Sequence, residues 1–297
     1  MPESLAPWIA AAFVPLMALM AAALWWGPGR WRRWRQARVV ATPFPAEWRA
    51  ILRRRMPLFA RLPADVQLRA KKRAQVLLAE VPFVGCGGLV VSDEMRVLVA
   101  TQAALLLLHA RGDALAALRE VWLYPDPFVV PTRVADGSGL VHEGVQARSG
   151  ESWQRGTLVL AWSQVLVDAA TPGTGHNVVI HEFAHQLDQA KGQAGGGANG
   201  APWLPTARLR RRWAEVLGRE FGLLRSGLAE GRDGGLLGAY AATDPAEFFA
   251  VASERFFDRP HDLATQYPAL WEQLKSLYRC DPRWWVAATD TTPVAAA

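Results

Sequence analysis

Five residues, His181-Glu182-Phe183-Ala184-His185, constrain this chain more than any other stretch of its 297 residues. They follow Asn177-Val178-Val179-Ile180, where Asn177 reads as an N-cap, so the five fall in the body of a helix. Residues four apart on a helix are separated by one turn plus about 40°, so both imidazoles leave the same face. Two imidazoles so placed can grip one Zn²⁺ at about 2.1 Å each. Glu182 lies about 100° further round, beside such an ion rather than on it, where a carboxylate serves as a general base. The flanks are apolar, which argues against a solvent-facing helix with two incidental histidines. Buried without a partner, those groups would cost several kcal/mol.

A catalytic zinc takes three protein ligands and leaves one position open. His109, His142, His176 and His261 have no ligand-like spacing. Residues 243–257, TDPAEFFAVASERFF, read as an apolar helix with Asp244 as N-cap and Pro245 at its first position, which puts Glu247 near the third. A glutamate there serves as a capping-box residue favoured by the helix dipole, or as a metal ligand, and the pattern leaves both open. Asp188, three residues past His185, either orients a ligand histidine by accepting its second N–H or ends the helix in water. Glu254, seven beyond Glu247 on the same side, is a further candidate for that supporting role.

The surrounding pattern is α+β and predominantly helical. Residues 63–80 have helical spacing, and Ser92 reads as the N-cap of a helix through Leu108. The late part of that helix, VLVATQAALLLL, is too short to span a membrane and contains Gln102. Strands are expected at 121–124, 128–134 and 157–162, a turn at Phe83–Gly88, and a polar loop at 135–150. Cys86 and Cys280 match neither a disulfide framework nor a CxxC metal site.

Trp8 to Trp26 is nineteen residues without a charge and with tryptophans at both ends, long enough as a helix for about 28 Å of bilayer. Arginines follow it and none precede it, which is the reverse of a signal peptide. The expectation is a single-pass anchor in the bacterial inner membrane (residues 1–29, helix about 8–26), with everything after it cytoplasmic. The alternative is an alanine-rich helix on the domain or on the membrane surface, in a peripheral cytoplasmic protein. Residues 30–47 then form a basic juxtamembrane linker, 48–285 the metal-binding domain and 286–297 a disordered tail. Ten arginines and one acid lie between Arg30 and Arg61, a local +9 against a chain total of +6. The remainder is therefore mildly acidic, and with no recognition motif present, direct nucleic-acid binding is not expected.

HEFAHQLD, followed some sixty residues later by Tyr240-x-x-Thr-Asp-Pro-Ala-Glu-Phe-Phe-Ala, resembles the Mlc titration factor A family of zinc peptidases. GLVVSDEMRVLVATQAALLLL and YPDPFVVP also look like that family, and the resemblance covers roughly residues 48–280. The paired motifs are similar to those of the catalytic domain of anthrax lethal factor. The resemblance implies a zincin-like domain of gluzincin type: a small sheet, the HExxH helix and a later glutamate-bearing helix. It implies one zinc per chain on His181, His185 and Glu247, with Glu182 as base and the Tyr240 hydroxyl pointing into the site. It further implies hydrolysis of peptide or protein substrates, aminopeptidase-like in character, and a sugar-system repressor of the Mlc type as partner. From the last comes an alternative: a membrane-tethered zinc-containing module that sequesters a transcriptional regulator without turnover. The resemblance does not explain the apolar N-terminal stretch, and the Gly-rich KGQAGGGANGAP departs from what a rim loop requires.

Overall fold

The computed structural model describes residues 17, 20, 27, 29–110, 114–115, 118–135, 141–148, 150–153, 156–189 and 199–286. Residues up to Pro43 form one unit and those from Phe44 onward a second. In the first unit, residues 29–41 are helical (α1). The expected span at 8–26 lies outside the described residues apart from Met17 and Met20, and so does the tail from 287. Among the described residues no helix is long and apolar enough to cross a membrane.

The second unit begins with α2 (Ala46–Arg55), α3 (Pro57–Arg61) and α4 (Ala64–Glu80). Strand β1 (Phe83–Gly85) and helix α5 (Asp93–Leu106) follow. Ser92 caps α5 by accepting from the Met95 amide at 3.3 Å, as its sequence suggests. From Val97 to Leu106 every residue of α5 is buried, so this helix is the spine of the core. Next come β2 (Glu120–Tyr124), β3 (Phe128–Ala135), β4 (Val141–Arg148), β5 (Gly150–Trp153) and β6 (Thr157–Ala161).

The sheet has the order β1-β2-β6-β5, the first three parallel and β5 antiparallel at the edge. All five residues of β6 are buried, which accounts for the unbroken apolar run TLVLA. Two expectations are corrected here. Phe83–Gly85 is a strand in register with Val121–Leu123 rather than a turn. It is hard to read from sequence because its loop folds over it: a Cβ on Gly85 would meet the Leu89 carbonyl oxygen. The polar segment 135–150 contains β4, which pairs with β3 from Phe128↔Arg148 to Ala135↔Val141. A two-stranded ribbon has only edges, so Pro131 and polar side chains are tolerated, and the usual apolar signature of a strand is weak.

Helices complete the domain: α6 (Trp162–Ala170), α7 (Val178–Gln189), α8 (Ala207–Ala229), α9 (Pro245–Asp258), α10 (Pro260–Gln266) and α11 (Pro268–Tyr278). A 3₁₀ turn at Ala239–Ala242 precedes α9. Phe248, Phe249, Phe256 and Phe257 of α9 are all fully buried. Each contributes about 1.5–3 kcal/mol by burial, so α9 is held rigidly in the core. Trp213 of α8 meets Phe249 edge-on at 5.6 Å. The domain is therefore predominantly helical around a small sheet, and α7 and α9 share its interior.

Candidate metal centre

Helix α7 starts where three buried side chains meet the amides of Asn177, Val178 and Ile180. Asn177 Oδ1 accepts from the Ile180 amide at 2.9 Å, so Asn177 is the N-cap that its position suggests. Its Nδ2 donates to Gln102 Oε1 at 2.8 Å, tying the cap to the spine helix α5. Asp168 Oδ2 accepts from the Val178 amide and Glu254 Oε2 from the Asn177 amide, each at 2.7 Å. Asp258 accepts from the amides of Gly173 and Gly175 in the preceding loop. Carboxylates gathered at a helix N-terminus are favoured by its dipole, and here every acid meets backbone donors that burial would otherwise orphan.

On α9, Asp244 Oδ1 accepts from the amides of Ala246 and Glu247 at 2.8 and 2.9 Å. With the cap supplied by Asp244, the Glu247 carboxylate turns to the histidines of α7. Glu247 Oε2 lies 3.0 Å from His181 Nε2 and 3.5 Å from His185 Nε2, and the two Nε2 atoms are 3.2 Å apart. Three donor atoms thus converge on one point, a group able to hold a metal ion. Among the described residues no other group of His, Cys, Asp or Glu is arranged in this way. His176 faces Asp168 at 3.6 Å, and His261 Nε2 donates to the Val286 carbonyl at 3.0 Å.

Behind the triad, His181 Nδ1 donates to Glu254 Oε1 at 2.7 Å. That bond places the proton on Nδ1 and leaves the Nε2 lone pair for the ion. Burial disfavours charge on His181, but hydrogen bonds to Glu247 and Glu254 outweigh it and raise its pKa well above the ordinary histidine value. Burial also works against the Glu247 charge, yet hydrogen bonds from His181 and His185 hold that carboxyl far below the usual range. Glu254 serves both the His181 ring and the α7 cap, so it couples ligand orientation to helix placement. Glu254→Gln retains an acceptor for the amide but weakens the bond to His181. We expect metal affinity to fall about 10–100-fold, measured by competition with a chromophoric chelator.

Glu182 is buried at 4% exposure on the same helix, and its charge also helps to raise the His181 pKa. Tyr240 sits on the 3₁₀ turn with its ring centroid 6.1 Å from that of His181, and it is half exposed, at the solvent side of the site. Asp188 is placed differently from its expected role. Its two oxygens accept from the amides of Gly200 at 2.6 Å and Ala201 at 2.8 Å. They pin the loop that returns from α7, whose Gly200 carbonyl accepts from Trp213 Nε1. Gly200 has φ +71° and packs against the Pro245 backbone, where a Cβ would collide, so this loop seats the first turn of α9.

Sequence reasoning did not single out Asp168 or Asp258. Both act through backbone amides across gaps of 10 and more than 80 residues, and no local pattern marks such contacts. Gln102 left the one visible trace, a polar residue in an otherwise apolar run.

Residues 31–279 match the family model described as glucose-regulated metallo-peptidase M90. The chain is 36% identical over 238 residues to Mlc titration factor A of Serratia proteamaculans, covering 80% of this chain and 88% of that protein. It is 35% identical over 254 residues to Mlc titration factor A of Yersinia pestis, covering 84% and 91%. An uncharacterized protein of Synechocystis is 35% identical over 258 residues, covering 86% and 92%. The match spans the helices, the sheet and the histidine–glutamate cluster described above: the chain belongs to the M90 family of glucose-regulated metallo-peptidases, with the Mlc titration factors among its relatives.

Proposed function

We propose that this chain is a zinc-dependent peptidase of gluzincin type, with one zinc on His181, His185 and Glu247. The convergence of three donor atoms at 3.0–3.5 Å from one another carries the reading. Tetrahedral ligands at about 2.1 Å from a zinc lie about 3.4 Å apart, so the side chains need little adjustment to accept it. Two imidazole nitrogens and one carboxylate oxygen suit zinc, and three ligands leave a fourth position for substrate or water.

An ion held by His181, His185 and Glu247 would supply Lewis acidity to a water molecule and to the scissile carbonyl. Glu182 accepts the proton of the attacking water on its carboxylate and returns it to the leaving amine nitrogen. The burial of Glu182 keeps bulk water from levelling that proton transfer. Tyr240 donates a hydrogen bond from its phenol to the oxygen on which charge develops. Glu254 holds the His181 ring through Nδ1. The half exposure of Tyr240 fits a site open to peptides, and the aminopeptidase-like preference rests on the family resemblance alone.

The test is hydrolysis of a peptide library by the purified full chain, with metal content measured alongside. Turnover abolished by a chelator and restored by zinc supports the peptidase. A second reading rests on the name Mlc titration factor A of two relatives: a module that sequesters a repressor of the Mlc type without turnover. Stoichiometric metal with no cleavage of any peptide would favour that module. We place the chain at the bacterial inner membrane, held by the uncharged run at 8–26, with the site on the cytoplasmic side.

A further inference from the structure

Three arginines of α1 share one face with both of its tryptophans. At 100° per residue, Arg30, Trp34, Arg38, Trp31 and Arg35 fall within one arc of about 140°. All five are exposed, with Trp31 at 59% and Trp34 at 53%. The opposite side carries Arg32, Gln36, Val39 and Val40, which are half buried. On the exposed arc the two residue types are interlocked: the Arg35 guanidinium lies 4.9 Å over the Trp31 ring, and that of Arg38 lies 4.9 Å over Trp34. Each stack holds a cation and an aromatic plane together on one surface. No acid occurs between Arg30 and Ala46 to neutralise the arc.

We propose that this face of α1 is a docking surface for anionic phospholipid, its tryptophans at headgroup depth and its guanidiniums on the phosphates. Tryptophan favours the interfacial zone, arginine pairs bidentately with phosphate, and a basic segment is drawn to an anionic leaflet. Lipid is favoured over nucleic acid by sequence: the arc directly follows nineteen uncharged residues flanked by tryptophan. The inference extends the membrane placement proposed above without depending on whether residues 8–26 span the bilayer. The surface acts on headgroup charge, and the apolar run acts on hydrocarbon.

The two are separated by partition of the full chain between sedimenting, sucrose-loaded vesicles containing phosphatidylglycerol and buoyant vesicles of phosphatidylcholine alone. The total fraction bound to vesicles reports the apolar run. The ratio between the two populations reports the arc. Each arginine near an anionic surface contributes about fivefold, so the three on the arc give a preference on the order of a hundredfold at low salt. The variant R30Q/R35Q/R38Q is expected to divide nearly evenly while keeping its total binding and metal content. An even division of the wild-type chain overturns the proposal. So does a preference that survives in the variant, which would locate it on another basic surface. Release of the wild type from the anionic vesicles by duplex DNA at matched phosphate concentration overturns it in favour of a nucleic-acid surface.

Discussion

Replacing Glu182 by Gln leaves metal content unchanged and lowers peptide hydrolysis by about 10²–10⁴-fold, the range that a positioned general base contributes. The substitution preserves shape, so the buried position on α7 stays filled and the flanking histidines keep their rotamers. What it removes is the ability to accept a proton. The loss should fall on kcat, because proton transfer belongs to the transition state and not to substrate binding. Metal analysis and steady-state kinetics on one preparation decide the matter. A Glu182→Gln protein that cleaves peptides at the wild-type rate would remove Glu182 from the mechanism, whatever its metal content.

The second large effect is on the metal. Glu247→Ala takes one of three converging donors from a site that already sits 3.0–3.5 Å between its ligand atoms. We expect affinity to fall by well over the 10–100-fold typical of a supporting residue, and activity to fall with it at ordinary metal concentrations. The pH dependence follows from the same contacts. In the metal-free protein the His181 pKa lies well above its ordinary value, so a proton competes for the nitrogen that the metal needs. Metal affinity of the wild type therefore falls as pH falls, and uptake at neutral pH releases protons. The stability of the metal-free fold runs the other way. The contribution of protonated His181 is complete below the unfolded value of about 6.5 and fades as pH rises through the higher folded value. Glu247 remains ionised throughout, because its folded pKa is held far below the usual carboxylate range. Isothermal titration calorimetry in two buffers of different ionisation heat measures the released protons. Uptake of metal with no proton release, and affinity flat from mildly acidic to alkaline pH, would contradict this account of the site.

The local part of this site was legible in the residues. Asn177, Asp244 and Ser92 were readable as N-caps because a cap bonds amides within three positions of itself, and each does so in the folded chain. The helical spacing of α4 likewise needs only the helical repeat, and α5 and α9 were readable from their caps and apolar content. β3 was legible as the apolar run 128–134, but β4 was not: its sequence VHEGVQAR lacks the apolar alternation that signals a strand, and its pairing with β3 is set between segments. Asp188 shows the same limit in the site itself. Its spacing from His185 allows a bond to a ligand ring, but only the path of the chain after α7 decides that its oxygens face Gly200 and Ala201.

By itself, then, the sequence determined that His181 and His185 share one helical face with Glu182 beside them, because a rise of 1.5 Å and 3.6 residues per turn admit no other arrangement. It also determined that Glu247 stands in the first turn of a second helix. Whether that glutamate capped its own helix or reached the histidines 66 residues earlier was a question of packing. The answer came from the buried phenylalanines that fix α9 against the core, and from Asp244, which takes over the cap. Glu254 and the acids that hold the start of α7 were likewise decided only in three dimensions. A contact between distant segments depends on how whole elements stack, and no local repeat in the chain encodes it.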